Sequence, residues 1–306
     1  MGPPPATAQQ APLRLDSGRF TVVAYPKDAR LARTVLDSAA ARDTFPGLPR
    51  PRERVLIAIA PDERRFRDWI GPGAPEWGAA VAIPSESRIV IQGSSAGSDA
   101  GNPMRVLRHE LAHLALHEYL GDLPSRWFDE GYASYSAGEW GRDEVLTTSL
   151  ALLVHGIPPL DSLDEEFQLG ATRAQAAYAL SYRAVAELAF IDRERGLALF
   201  FRYWKEDGSM EKAIRSAYGL TGAAFEERWR KQTERRYGAL ALAANMSMAL
   251  GLTGFIIVPL YLLRLRRKRR RLAAMLAADE AAERAERESA FRAILELGSD
   301  GSDTRA

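Results

Sequence analysis

Between Ala239 and Leu263 the chain runs for 25 residues without a charged side chain, enough to cross a hydrocarbon layer about 30 Å thick with some tilt. Asn245, Ser247 and Thr253 temper its apolarity, and Pro259 near its end is tolerable in a membrane helix. The residues that follow strengthen the reading. Arg264, Arg266, Arg267, Lys268, Arg269, Arg270 and Arg271 set seven positive charges against the run, the flank of a stop-transfer signal. The opposite flank carries five, at Arg228, Arg230, Lys231, Arg235 and Arg236. The denser cluster predicts a single-pass membrane protein with a cytosolic C-terminal tail and a large extracytoplasmic N-terminal part. Residues 239–271 are then the portion that meets the lipid bilayer. The segment 273–297, rich in Ala, Glu and Arg, is expected to be helical and to lie on anionic lipid through its basic end.

This division leaves residues 16–238 as the folded domain, preceded by a lead-in over 1–15 and followed by the membrane helix 239–263 and the basic, charged tail 264–306. The lead-in is proline-rich, and its Ala6-Thr7-Ala8 has the small-x-small form of a cleavage site with no apolar run upstream. Two readings compete, a flexible disordered terminus and the remnant of a signal peptide, of which the first is the simpler. Within the domain, RFTVVAY (19–25) and VLIAIA (55–60) read as strands stopped by Pro26 and Pro61. Two more short strands are expected at 78–83 and 88–92, and helices at 28–41, with Asp28 as cap, and at 62–70. From Met104 to about Gly238 the pattern is mostly helical. The expected class is α+β: a small N-terminal mixed sheet with a helix, then a helical subdomain, then one transmembrane helix.

Composition narrows the chemistry. With 46% hydrophobic and 26% charged residues the chain is globular, and a net charge of +1 gives no support to nucleic acid as a partner. The absence of cysteine excludes disulfides, thiolate metal sites, iron–sulfur clusters and cysteine nucleophiles. Histidine occurs four times, and three of the four are His109, His113 and His117. Residues 109–113 read His-Glu-Leu-Ala-His, with Leu107, Leu111, Leu114 and Leu116 supplying apolar packing for a helix. One helical turn puts both imidazoles on one face, about 6 Å apart, where they can share a tetrahedral Zn2+. Glu110 lies a hundred degrees round the helix and reaches a water beside the ion rather than the ion itself. His117 is one turn too far along a straight helix to join the same ion, and His155 reads as a helix C-terminal residue stabilised by the dipole. A carboxylate must therefore complete the set. The segment Trp127-Phe128-Asp129-Glu130-Gly131-Tyr132-Ala133 supplies one, since a buried acid among aromatics is costly unless paired or metal-bound. Glu130 follows His113 after sixteen intervening residues, room for a turn at 121–124 and an antiparallel return.

HELAH followed by WFDEGYA resembles the gluzincin metallopeptidases, and especially the peptidase-MA-like group related to thermolysin and the zinc aminopeptidases. The strand before the zinc helix, the GIPPLDSL loop and the AAYALSYRAVAEL helix look like that family's layout as well, so the resemblance covers about residues 19–236. It implies zinc held by His109, His113 and Glu130, with Glu110 as general base in peptide-bond hydrolysis. It further implies an oxyanion-stabilising residue on a downstream helix, for which Tyr178 and Tyr182 are the candidates, Tyr178 slightly preferred. Asp129 and Ser134 are expected to orient the ligands. One departure matters. The G-x-M-E-N strand that holds a free substrate amine in the aminopeptidases is replaced here by Gly78-Ala79-Ala80-Val81-Ala82, which turns the expectation toward a membrane-anchored zinc endopeptidase acting on peptides or proteins. The competing expectation is a catalytically idle, anchored binding or sensor protein on the same scaffold; such a protein has no need of a base at Glu110.

Overall fold

Five short runs of β-branched and aliphatic residues form one mixed sheet in the computed structural model, which describes residues 11–71, 79–94, 102–121, 124–139 and 157–235. The strands are β1 (Leu13–Ser17), β2 (Phe20–Ala24), β3 (Val55–Ala60), β4 (Ala80–Ile83) and β5 (Arg88–Gln92), in the order β1-β2-β3-β5-β4. The three central strands run parallel, while β1 and β4 lie antiparallel at the two edges. Parallel neighbours need a crossover between them. Helix α1 (Ala29–Ala41) supplies the one from β2 to β3, and α2 (Glu63–Ile70) lies between β3 and the hairpin β4–β5.

The side-chain period of two sorts the sheet into faces. Phe20, Val22, Val55, Ile57, Ile59, Ile89 and Ile91 join Ala32, Val35 and Leu36 of α1 in the main core, together with Leu107, Leu111 and Leu114. The last three belong to α3 (Pro103–Leu120). Ala60 and Val90 instead meet Phe66 of α2, with Trp69, Ile70, Val81 and Ile83 packed around them. The expected mixed sheet with a helix on one face thus has a second, smaller helix on the other.

The helical part continues with α4 (Arg126–Ala137), α5 (Leu163–Glu166), α6 (Ala171–Ile191), α7 (Ala198–Asp207), α8 (Met210–Tyr218) and a helical segment over 222–235. Local chemistry sets the ends that matter. The Asn102 side chain accepts from the Met104 amide at the start of α3, and Gly121 closes that helix in the left-handed conformation at φ 73°. The first amides of α4 are satisfied from another element: the Asp164 carboxylate accepts from the backbone N–H of Arg126 and Trp127 at 3.1 and 2.7 Å. Trp127, Phe128 and Tyr132 of α4 are buried with Phe200 and Phe201 of α7. Arg108 donates to the main-chain carbonyls of Arg42, Thr44 and Ser136, binding α3 to the loop after α1 and to the end of α4.

Two expectations need correction. Strand β1 includes Leu13–Leu15, which the sequence places in the lead-in; its pairing with β2 in full register draws it into the sheet. Asp28 occupies the N-cap position of α1 but makes no side-chain cap bond, because its carboxylate accepts from the amide and hydroxyl of Ser94, just beyond β5. All the described elements fall in the first of two units into which the chain divides, Met1–Ala241, the second being Leu242–Ala306. Ala6-Thr7-Ala8, His155, the run 239–263 and the tail 264–306 lie outside the described residues. Among the described residues, no helix is long and apolar enough to cross a membrane.

Candidate metal centre

The packing of α3 against α4 brings the two sequence motifs together. Glu130 points one oxygen at both imidazoles: Oε2 lies 3.3 Å from Nε2 of His109 and 3.7 Å from Nε2 of His113. The two rings sit 4.9 Å apart between centroids, inclined at 70°. One donor atom from each of the three residues falls within 4.8 Å of the others. Ligands at zinc bond lengths of about 2.0–2.1 Å and a tetrahedral angle lie roughly 3.3 Å apart, so the three side chains need only small adjustments to close on one ion. His117 is not in this cluster.

Each histidine presents Nε2 to Glu130 because its Nδ1 is taken. His113 Nδ1 meets Asp129 Oδ1 at 2.7 Å, and His109 Nδ1 meets Glu139 Oε2 at 3.0 Å. A carboxylate on Nδ1 keeps that nitrogen as the N–H donor, so that loss of the second proton frees Nε2, the atom a metal requires. Ser134 hydrogen-bonds Glu139 in turn, so both residues expected to orient ligands do so, Asp129 directly and Ser134 through Glu139.

Glu139 itself is not anticipated by the sequence. It lies nine positions after Glu130, which on a continuing helix would put the two on opposite sides. The helix stops instead. Gly138 adopts φ 65° and ψ 38°, and the Glu139 amide returns to the carbonyl of Ser134 at 3.2 Å, a Schellman closure that swings the next side chain back. A Gly-Glu pair at the end of WFDEGYASYSA is the one sequence signal for it.

The close approach that seats α4 has its own cause. A Cβ on Gly131 would stand 2.4 Å from the Ser181 carbonyl oxygen of α6, so only glycine lets the two helices meet there. Across that contact Tyr178 faces Glu130 and Arg126, while Tyr182, one turn on, packs against Tyr135 with ring centroids 6.0 Å apart. Tyr178 thus stands beside the His-His-Glu cluster, next to Glu130.

Glu110 is buried and takes a different bond. Its Oε2 accepts from the main-chain N–H of Ala82 on β4 at 2.6 Å. The register explains why that amide is available. Ala79 and Gln92 form a hydrogen-bonded pair of the β4–β5 hairpin, so Val81 opposite Val90 does too, and the groups of Ala80 and Ala82 face outward from the sheet. Burial raises the Glu110 carboxyl above the usual range, against the lowering effects of His109, His113 and the Ala82 amide. Glu130 behaves oppositely. Burial pushes it up, but the hydrogen bond from His109 and the charges of His113 and Arg126 hold it below the ordinary value. The two neighbouring carboxyls are thus driven apart, Glu110 upward and Glu130 downward.

A family model described as the Peptidase MA superfamily matches residues 52–234. The match takes in β3, the β4–β5 hairpin and every side chain of the metal centre. No curated protein matches the chain.

Proposed function

This chain belongs to the Peptidase MA superfamily, and from that premise we propose that it is a zinc-dependent endopeptidase of the gluzincin type. The observation that carries the reading is the convergence of His109 Nε2 and His113 Nε2 on Glu130 Oε2, with both Nδ1 atoms held by carboxylates. A zinc ion held by His109, His113 and Glu130 supplies Lewis acidity toward water and the scissile carbonyl. Glu110 is the general base: it takes a proton from the attacking water as the C–O bond forms. It returns that proton to the nitrogen as the C–N bond breaks. Its raised carboxyl suits both halves of this exchange.

Tyr178 stabilises the oxyanion. Its hydroxyl oxygen takes a hydrogen bond from Arg126, which leaves the phenolic proton free to donate to the developing charge. Ala80 and the carbonyl of Ala82 offer the outward edge of β4 beside Glu110, and an extended peptide pairing there would present its backbone to the base. An edge that binds main chain, with no acidic strand to hold a free amine, supports cleavage within chains.

The uncharged run 239–263 and the arginines beyond it support a single transmembrane anchor, with the catalytic part extracytoplasmic and the tail in the cytosol. The deciding experiment is a broad peptide-library digest by the zinc-loaded chain, run beside Glu110→Gln. The wild type should cut internal bonds and the variant should keep its zinc while losing hydrolysis by about 10²- to 10⁴-fold. A zinc-loaded wild type that cuts nothing ends the reading.

A further inference from the structure

Arg126 opens α4 one turn before Glu130, so the two side chains share the helix face that meets His109 and His113. Its Nε lies 3.9 Å from Glu130 Oε1, beyond hydrogen-bond distance. The guanidinium lies over the Phe167 ring, 4.8 Å from its centroid, and Phe167 meets Tyr178 edge-on with centroids 4.9 Å apart. Arg126 also donates to the Tyr178 hydroxyl. The helix, an aromatic face and a phenol thus hold one cation beside the metal centre, with 40% of its side chain open to solvent.

Its charge has no dedicated partner. Among the described residues, Glu130 is the one carboxylate within 4.0 Å of the guanidinium, and the other oxygen of Glu130 faces both imidazoles. Asp164, close in space, is engaged by the backbone instead, since it takes the amides of Arg126 and Trp127. A guanidinium has five donors in a rigid fork. Tyr178 uses one, and with 40% of the side chain open to solvent the guanidinium has donors to offer a ligand.

We propose that Arg126 is a specificity-determining residue that takes a carboxylate of the bound peptide, from an acidic side chain beside the scissile bond or from a free C-terminus. The proposal rests on the peptidase reading for its substrate class. A fork of N–H donors matches the two oxygens of a carboxylate, and such charge-assisted bonds are worth roughly 10- to 100-fold in affinity. The Phe167 ring fixes the plane of the fork before the ligand arrives, so little rotamer freedom is lost on binding.

The test uses the full chain, zinc-loaded and carrying Glu110→Gln, so that peptides bind without being cut. Affinities are measured by calorimetry for three matched peptides: one with a central Glu and an amidated end, one with Gln and a free C-terminus, and one with Gln and an amidated end. At least one of the two acidic peptides should bind about 10- to 100-fold tighter than the neutral one, and which of them does so names the source of the carboxylate. Adding Arg126→Met should bring that ratio close to one at unchanged zinc content, and Arg126→Lys should restore part of it. An acid preference that survives Arg126→Met, or the absence of any preference before it, overturns the proposal. Failure of the peptidase reading looks different: acidic peptides bind with the expected preference, but the wild type cuts none of them.

Discussion

Asp129 and His113 are joined side chain to side chain, with Oδ1 2.7 Å from Nδ1. The next residue, Glu130, addresses the other nitrogen of the same ring at 3.7 Å. Two consecutive acids on α4 therefore hold one imidazole from both sides, Asp129 at Nδ1 and Glu130 at Nε2. Their substitutions should separate cleanly. Glu130→Ala removes one of three protein ligands and should abolish the expected stoichiometry of about one zinc per chain. Asp129→Ala should keep the site but weaken it by about 10- to 100-fold. Metal analysis against a competing chelator distinguishes the two outcomes, and retention of zinc by Glu130→Ala would reassign the third ligand.

Glu139 should behave toward His109 as Asp129 does toward His113. Glu139→Ala is expected to lower zinc affinity about 10- to 100-fold, and Glu139→Gln less, because its amide oxygen still accepts from Nδ1. Equal losses in the two variants would mean that its charge, not its hydrogen bond, sets the histidine.

The two tyrosines of α6 should part company. Tyr178→Phe is expected to slow hydrolysis by about 10²-fold with zinc content unchanged, whereas Tyr182→Phe should cost far less. The same slowing from Tyr182→Phe alone would move the oxyanion donor one turn along the helix.

Gly131→Ala places a methyl carbon where the Ser181 carbonyl oxygen stands, 2.4 Å away. Since the neighbour is backbone, α4 and α6 must separate, and a loss of about 1–3 kcal/mol is expected. Thermal melts should show it in the metal-free chain, and zinc binding should fall with it because Glu130 rides on α4. A melting temperature equal to wild type would show that the helices absorb the methyl without moving.

The metal-free chain should become less stable as pH rises. Burial disfavours the charged form of His113, but Asp129 and Glu130 outweigh it and raise this histidine to about 9; His109 is raised as well, its burial outweighed by Glu130 and Glu139. A histidine raised on folding contributes its full stability below its unfolded value of about 6.5, and that contribution is lost as pH climbs through the folded value. Melts of the chelator-treated chain should therefore fall in temperature from about pH 6 to about pH 9.5. Zinc requires neutral imidazoles, so the stabilisation it adds should grow over the same interval. A zinc increment independent of pH would contradict the protonated pairs.

What could be read from the sequence was what has a period or a fixed spacing. VLIAIA is an unbroken apolar run stopped by Pro61, and HELAH repeats at one turn; each appears where expected. Strand β1 offers only Leu13 and Leu15 beside a proline-rich stretch, too little alternation to stand out before β2 is there to pair with it. Asp28 has the residue type of a cap, but its partner Ser94 lies 66 positions away and no local rule points to it. Glu139 reaches His109 only because a left-handed glycine breaks the helical spacing that would otherwise carry it away. The side chains hardest to foresee are thus those whose partners are set by where an element stops.

The outward groups of Ala80 and Ala82 repeat every second residue along β4. If the chain is the endopeptidase proposed above, a substrate segment that pairs with this edge must be extended. A compact protein has its backbone groups already satisfied, and it would have to open a segment before that segment could lie against β4. Where opening is fast compared with cutting, the rate at which a given protein is destroyed then follows how often its segment is exposed. Vulnerability becomes a property of the victim's local folding equilibrium, and a single set of catalytic side chains could spare well-folded neighbours while removing loosened ones.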